Sequence, residues 1–307
     1  MIWIMATRNY SSKGLTFYGQ EYEVTRLMSE LQQKQQLTRI VLWSDLSYIV
    51  NNGQYQFFLD GKPVELPKLI INKCGSNINP VWLYTLEILE SAGVKCINSY
   101  TATTLFIDKL RTLNLLASNG ITVPKSFLIS REHQLEEIVK NNFEFPLIIK
   151  PIKGSLGKGI QLCRSFSDLV NTFNIIKSMS TEYGAKNHIL VQEYIGDRVG
   201  EDLRIIMTGN VPLGCMLRKS ENDFKANISA GATGEAYPLT NDILDVCAKI
   251  NSITNVDICG IDLLFSGDGF KVCEVNTNPG FEGFEKYCDK DIAKKLANYA
   301  IEQYNKL

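Results

Sequence analysis

Short apolar runs alternate with polar, helix-patterned stretches through the first third of the chain. Residues 2–6, 39–43, 69–73 and 94–97 read as strands, and the charged amphipathic stretch 21–36 and residues 79–92 read as helices. Residues 55–59 and 64–66 read as a small hairpin about Asp60-Gly61-Lys62-Pro63. Alternation of β and α predicts a largely parallel sheet, as in a small doubly wound α/β domain over residues 1–100.

A second unit is expected over residues 101–188. It begins with a helix over 101–119, closed by Gly120 as its cap. A strand over 123–128 and a helix over 130–141 follow. The strand over 145–150 then leads into Pro151 and a glycine-rich turn. A strand over 160–163 and a helix over 165–178, opened by Ser165 as N-cap, complete the unit. Residues 189–307 form a third unit. Residues 189–194, 202–208, 211–218, 258–265 and 269–275 read as strands of one antiparallel sheet, and 240–251 and 289–306 as helices. The fold class is therefore mixed α/β (α+β).

Composition narrows the chemistry. Of 307 residues 45% are hydrophobic and 21% charged, as in an ordinary globular protein. The formal net charge of −1 argues against nucleic acid or an anionic membrane as partner. No apolar run approaches the roughly 18 to 20 residues of a spanning helix. The first residues read as a strand and lack the basic lead of a signal peptide, so a cytoplasmic protein is expected. The eight cysteines form no C-x-x-C pair, and most sit in apolar context, which suits reduced core thiols. Only two histidines occur, His133 and His188, which disfavours a Cys-His zinc site or a Ser-His-Asp triad. The chemistry must rest on carboxylates, lysines, arginines and bound ions.

Four stretches can carry it. In Cys259–Phe265 and Phe270–Asn276 an acid interrupts each of two apolar runs around Ser266-Gly267-Asp268-Gly269. With a three-residue loop and Gly269 in the left-handed region, Asp262 lies opposite Glu274, and Asn276 shares their face. Two facing carboxylates repel unless a hard cation joins them, and all-oxygen ligands suit Mg²⁺ or Mn²⁺. The alternative is a solvated hairpin face whose acids pair with lysines. The turn Lys150-Pro151-Ile152-Lys153-Gly154-Ser155-Leu156-Gly157-Lys158-Gly159 lies between two strands. It can aim backbone N–H groups, with the Ser155 hydroxyl and Lys150, at phosphate oxygens; its alternative is a plain hairpin turn. It matches neither a P-loop nor a dinucleotide fingerprint. Gln192-Glu193-Tyr194-Ile195 ends an apolar strand with a carboxylate able to meet an adenine amino group or a ribose hydroxyl. Arg204 and Arg218 fall on neighbouring predicted strands, either facing a cleft as anion binders or lying on the surface.

Taken in order, these stretches resemble the ATP-grasp superfamily and, within it, the RimK-like carboxylate–amine ligases. The likeness spans roughly residues 70 to 300 and is only loose before that. It implies an ATP-grasp fold behind an N-terminal pre-ATP-grasp domain. Asp108-Lys109-Leu110-Arg111 resembles the family's lead-in helix, with Lys109 and Lys150 on the phosphate side. Gly154, Ser155, Gly157 and Gly159 match the glycine-rich lid, and Gln192, Glu193, Tyr194 and Ile195 the adenine-side hinge. Asp202-Leu203-Arg204 matches an Asp-x-Arg motif whose acid is implicated in ribose binding. Asp223-Phe224-Lys225-Ala226-Asn227 resembles a motif at the phosphate end of ATP, placing Lys225 and Asn227 there. Asp262, Glu274 and Asn276 match the metal trio, and Pro279–Glu285 the loop after it. Lys225 departs from the usual arginine, and the segment between Arg218 and Asp223 is slightly short; both put the substrate in doubt more than ATP.

The implied activity is an ATP- and Mg²⁺- (or Mn²⁺-) dependent ligase. A carboxylate becomes an acyl phosphate, Arg218 and Arg204 hold the transferring oxygens, and an amine displaces phosphate. A glutamate-type amino acid and a small-molecule or peptide C-terminal carboxylate are the expected substrates. Homodimers or homotetramers are common in the group. Two other readings stay open: a nucleotide-binding regulator without ligase activity, and a kinase of the same fold acting on a hydroxyl.

Overall fold

In the computed structural model, residues 1–11, 14–17, 21–74, 81–154, 157, 159–182 and 188–307 are described. The N-terminal sheet runs β4 (Thr38–Leu42), β1 (Ile2–Ala6), β8 (Leu69–Lys73), β9 (Lys95–Ile97), with every pairing parallel. Both faces are covered, which is why these strands read as unbroken apolar runs. Ile2 and Ile4 pack under α1 (Glu21–Gln33), whereas Trp3 and Met5 pack with Trp82 and Leu86 of α2 (Val81–Ser91). A hairpin of β2 (Arg8–Ser11) and β3 (Gly14–Phe17) follows β1.

The expected hairpin about Asp60-Gly61 is present, but it pairs β6 (Gln54–Leu59) with the two-residue β7 (Lys62–Pro63). A strand missed in the sequence, β5 (Leu46–Asn51), precedes them and turns through Asn52-Gly53, with φ of 49° and 78°. Left-handed values at both central residues are what an Asn-Gly hairpin turn provides.

The second sheet runs β10 (Ser126–Ile129), β13 (Ile189–Glu193), β11 (Leu147–Pro151), β12 (Gln161–Cys163), all antiparallel. Residues 189–193 thus pair with β10 and β11, not with the later strands as the sequence suggested. Helices α5 (Leu135–Asn142) and α6 (Phe166–Glu182) cover one face through Leu135, Val139, Leu169 and Phe173. Alternation along the strands turns Ile148, Lys150, Leu190 and Gln192 to the other face.

The third sheet runs β16 (Thr233–Tyr237), β15 (Val211–Lys219), β14 (Glu201–Thr208), β17 (Ile258–Ser266), β18 (Gly269–Asn276), all antiparallel. The edge strand β16 was not foreseen. One face packs against α7 (Asn241–Thr254) together with α3 (Tyr100–Ile107) and α4 (Lys109–Ser118), which contribute Ala102, Phe106 and Leu116. On the other face Ile206, Met216 and Ile258 join α1, the unforeseen short α8 (Glu282–Tyr287) and α9 (Ile292–Asn305) in one core with the N-terminal sheet.

The single helix expected over 101–119 is broken at Asp108 (φ −97°, ψ 108°), whose carboxylate caps α4 by accepting from the Arg111 N–H at 3.0 Å. The Lys109 N–H bonds instead to the Ile152 carbonyl, tying the start of α4 to the chain leaving β11.

Candidate active site

The acidic hairpin reaches the expected register by a different route. Ser266 pairs with Gly269, so the turn holds two residues and Gly267, not Gly269, takes the left-handed φ of 56°. That register alone would set Asp262 opposite Cys273. A shift between Asp262 and Leu263 leaves Cys273 as an extra residue on β18 and restores Asp262 opposite Glu274. Asn276 pairs across from Gly260, and its Oδ1 accepts from the Asn278 N–H at 2.9 Å.

Asp262 belongs to a charge ladder across three strands. Arg204 on β14 grips both of its oxygens, the Nη2–Oδ2 bond being 2.7 Å. Arg218 on β15 reaches Asp262 at 3.2 Å and binds Asp202 through both carboxylate oxygens at 2.6 and 2.7 Å. Two guanidiniums and two carboxylates thus alternate as Asp202, Arg218, Asp262, Arg204, all buried or half-buried. Desolvation pushes the Asp262 carboxyl upward, but Arg204 and Arg218 outweigh it and hold it below the usual carboxylate range. Among the described residues Asp202 is ion-paired to Arg218 alone; desolvation, with the nearby Asp262 charge, outweighs Arg218 and the more distant Arg204, and its carboxyl is raised. The arginines read as surface or cleft anion binders are committed to this ladder; Asp202, implied as a ribose contact, turns its carboxylate to Arg218. Gly260 makes room for the ladder: a Cβ there would meet Pro279 Cβ at 2.9 Å and the Arg204 guanidinium at 3.4 Å.

Lys109 connects the two halves of the site. Its Nζ donates to the Gly154 carbonyl at 2.8 Å and stands 3.6 Å from Glu274 Oε1. The capped break at Asp108 is what sets Lys109 at the first turn of α4, beside the glycine-rich turn. Gly157 lies close to Asn227, whose Oδ1 would be 3.2 Å from a Cβ on that glycine. Ser155 lies outside the described residues; Gly159 packs over the Pro151 ring.

Lys150 is buried and donates to Gln192 Oε1 at 2.9 Å, while Gln192 donates to Ser126 Oγ at 2.8 Å. Glu193 Oε1 accepts from the Lys125 N–H at 2.7 Å and Lys271 Nζ at 2.5 Å. Tyr194 meets Phe224 edge-on at 6.3 Å; Ile195 follows it, half-buried. Lys225 lies over the Phe224 ring and 3.5 Å from Asp223. None of these side chains lines the cleft that lies between the glycine-rich turn and the acidic hairpin.

That cleft has a volume of about 520 Å³. It brings together Gly154, Gly157, Arg204, Arg218 and Asn227 with Glu274 and Asn276. Its far wall, unforeseen in the sequence, comes from Glu23 and Trp82 of the N-terminal unit, Thr103 of α3, and Glu282 and Lys286 of α8. Only Glu282 had a signal, in the loop after the acidic hairpin. Glu23 looked like one more charge on an amphipathic helix.

The donor set fits a hard divalent ion. Two carboxylates and an amide oxygen are suitable ligands, and an ion such as Mg²⁺ keeps further positions for water or phosphate oxygen. Asp262 Oδ2 is shared between the two guanidiniums, so the lone pairs free for an ion are on Asp262 Oδ1, which meets only Arg204 Nε among the described residues, and on Glu274. Among the described residues no group of three or more His, Cys, Asp or Glu is assembled to hold a metal, so such an ion depends on Asn276 and on oxygens from outside the chain.

Comparison with known proteins identifies the family and the fold. Residues 107–300 match a model described as a RimK-like ATP-grasp domain. A Vibrio atlanticus protein named "Probable alpha-L-glutamate ligase" is 31% identical over 264 residues, covering 84% of this chain and 83% of that protein. One of the same name from Maridesulfovibrio salexigens is 32% identical, covering 78% of each chain. Among solved structures, the ATP-grasp ligase PsnB in complex with a minimal precursor superposes with a TM-score of 0.71 at 18% identity, covering 98% of each chain. The D-cycloserine synthetase DcsG gives 0.73 at 14% identity, covering 99% of this chain and all of the other. With a family model matching well over half its length and relatives this similar, the chain belongs to the RimK-like ATP-grasp family of carboxylate–amine ligases.

Proposed function

We propose that this enzyme spends ATP to activate a carboxylate as an acyl phosphate and couples it to the amine of a glutamate-type amino acid. The observation that carries the reading is Lys109, which touches the glycine-rich turn through Gly154 and faces Glu274 of the acidic hairpin. A phosphate lying along that turn is then beside the acidic pair, and Lys109 supplies positive charge between them. A divalent ion held by Asp262, Glu274 and Asn276 would offset charge on the phosphates.

The remaining work falls to the chain's own groups. Arg204 and Arg218 line the cleft while still bound to Asp262, so they meet an anionic group with their orientation already fixed. Asp202 acts on Arg218 in this scheme, as the partner that aims it. The wall carrying Glu23, Glu282 and Lys286 offers both signs of charge to an amino acid. No side-chain nucleophile is needed. Excluding water from the acyl phosphate falls to the glycine-rich turn over Asn227. The relatives' name supports glutamate as the amine, and the precursor peptide bound to PsnB in another of its structures makes a peptide carboxylate a fitting acceptor. The eight unpaired thiols suit a reducing compartment such as the cytoplasm.

The test is ADP release across carboxylate and amine pairs, beginning with L-glutamate, with hydroxylamine as a trap. Hydroxamate formation with the carboxylate alone supports acyl phosphate chemistry. ADP release with a phosphorylated hydroxyl product and no hydroxamate would assign a kinase. Nucleotide binding without turnover for any pair would assign a regulator.

A further inference from the structure

The open end of the acidic hairpin, opposite its Gly267-Asp268 turn, is held by a side chain from another part of the fold. Asn98 follows β9 in the N-terminal unit and is 2% exposed. Its Nδ2 donates to the carbonyls of Ile258 and Thr277, each at 2.7 Å, and its Oδ1 accepts from the Ile258 N–H at 2.8 Å. Ile258 opens β17, the strand of Asp262; Thr277 directly follows Asn276 at the end of β18. One buried amide therefore pins both strands of the hairpin at the end where Asn276 lies.

The same segment is held at two further points. Glu23 Oε1 accepts from the N–H groups of Phe281 at 2.9 Å and Glu282 at 3.4 Å, and Lys73 Nζ donates to the Pro279 carbonyl at 3.4 Å. From Thr277 to Glu282 the backbone hangs from three buried side chains of the N-terminal unit. Of the three, only Asn98 also grips β17. Register matters here, because a slip of one residue turns a side chain to the opposite face of the sheet. β18 already carries the extra residue Cys273, so its pairing beyond the bulge has only Glu274, Val275 and Asn276 to define it.

We propose that Asn98 is a positioning residue for the divalent-cation site: it fixes Asn276 relative to Asp262 and Glu274 by donating to the Thr277 carbonyl. This rests on the function proposed above. The conservative variant Asn98→Asp keeps the shape and the acceptor for the Ile258 N–H but presents oxygen to both carbonyls. Asn98→Ala removes all three bonds. Lys95→Met serves as control. Lys95 bridges the same two units through Asp257 at 3.0 Å, one residue before Ile258, without touching the Thr277 loop.

The experiment is calorimetric titration of the full chain with ADP, in EDTA and in excess Mg²⁺, with circular dichroism melts of each variant. The wild type and Lys95→Met are expected to bind ADP more tightly with Mg²⁺. Asn98→Asp is expected to lose that gain by ~10–100-fold, the range for removing an outer partner of a metal ligand, while its affinity in EDTA stays unchanged. Asn98→Ala should behave likewise, and if it fails to fold the isosteric variant decides alone. A full Mg²⁺ gain in Asn98→Asp, or an equal loss in Lys95→Met, overturns the proposal. A wild type whose ADP affinity ignores Mg²⁺ sinks the functional reading itself, a result distinct from either.

Discussion

Arg218→Met opens the buried charge ladder from one side. The substitution takes from Asp202 the guanidinium that binds both its oxygens, while Asp262 keeps Arg204. The Asp202 side chain is only 14% exposed, so water cannot replace the lost partner. Breaking a buried pair in this way costs about 3–5 kcal/mol, a large share of the ~5–15 kcal/mol that holds a domain folded. The loss should depend on pH. Burial already raises the Asp202 carboxyl, and without Arg218 it rises further. An acid raised in the folded state stays protonated where the unfolded chain, near its ordinary value of about 3.9, has released its proton. Stability then falls as pH climbs, so the deficit should be smaller at pH 5 than at pH 8. Asp202→Leu combined with Arg218→Met should recover most of the loss, because apolar residues can replace a buried ion pair at little cost. Urea unfolding of the wild type, both single variants and the double variant at the two pH values measures this. A single variant within ~1 kcal/mol of the wild type at pH 8, the range of an exposed pair, would refute the buried-ladder argument. So would a double variant as unstable as the sum of its singles.

Gly200→Ala should destabilise by about 2–4 kcal/mol in the same assay, since its φ is 71° and a Cβ would stand 2.4 Å from the Ser220 carbonyl oxygen. Burial lowers the Lys73 ammonium to about 8, against the pull of Glu23. The unfolded chain therefore holds more protons between pH 8 and its ordinary value of about 10.4, and stability should rise with pH across that window. Lys73→Met should abolish the rise, read from melting temperatures at pH 8 and pH 10. Glu274→Gln should lower the Mg²⁺ sensitivity of ADP binding in calorimetry, while ADP affinity in EDTA changes little. Burial raises the thiols of Cys74, Cys215 and Cys247 to about 12, so a thiol-reactive dye at pH 8 should label them only after denaturation.

Much of the fold was legible because its signals are local. The unbroken apolar runs of β1 and β8 announced strands covered on both faces, and Ser165 does accept from the Asp168 N–H as the cap of α6. What escaped was either unread or nonlocal. Asn52-Gly53 is a strong hairpin dipeptide, and attention to it would have found β5. Asp108 is a capping residue that looked like one more helix position, so the break placing Lys109 went unseen. The sheet chosen by residues 189–193 depends on β10 and β11, far away in sequence, and no pattern within the strand encodes it. At the site, the acids and arginines were identifiable one by one. Their mutual pairing was not, because a single strand shows which side chains share a face but not which neighbouring strand completes their charge. Glu23 and Asn98 carried no signal for the same reason: each acts on backbone more than 150 residues away.

The extra residue at Cys273 bears on how such sites should be compared between sequences. Were Cys273 paired like its neighbours, it would face Asp262 and turn Glu274 to the other side; looping it out is what brings the two acids together. Four residue pairs separate the acids from the tip, and Cys273 is not among them. Deleting Cys273, or adding one residue to the tip, would change the number of residues between the acids yet leave those pairs and the meeting intact. A fixed count between two acids is therefore the wrong thing to align. The number of paired positions is the quantity that the chemistry sees.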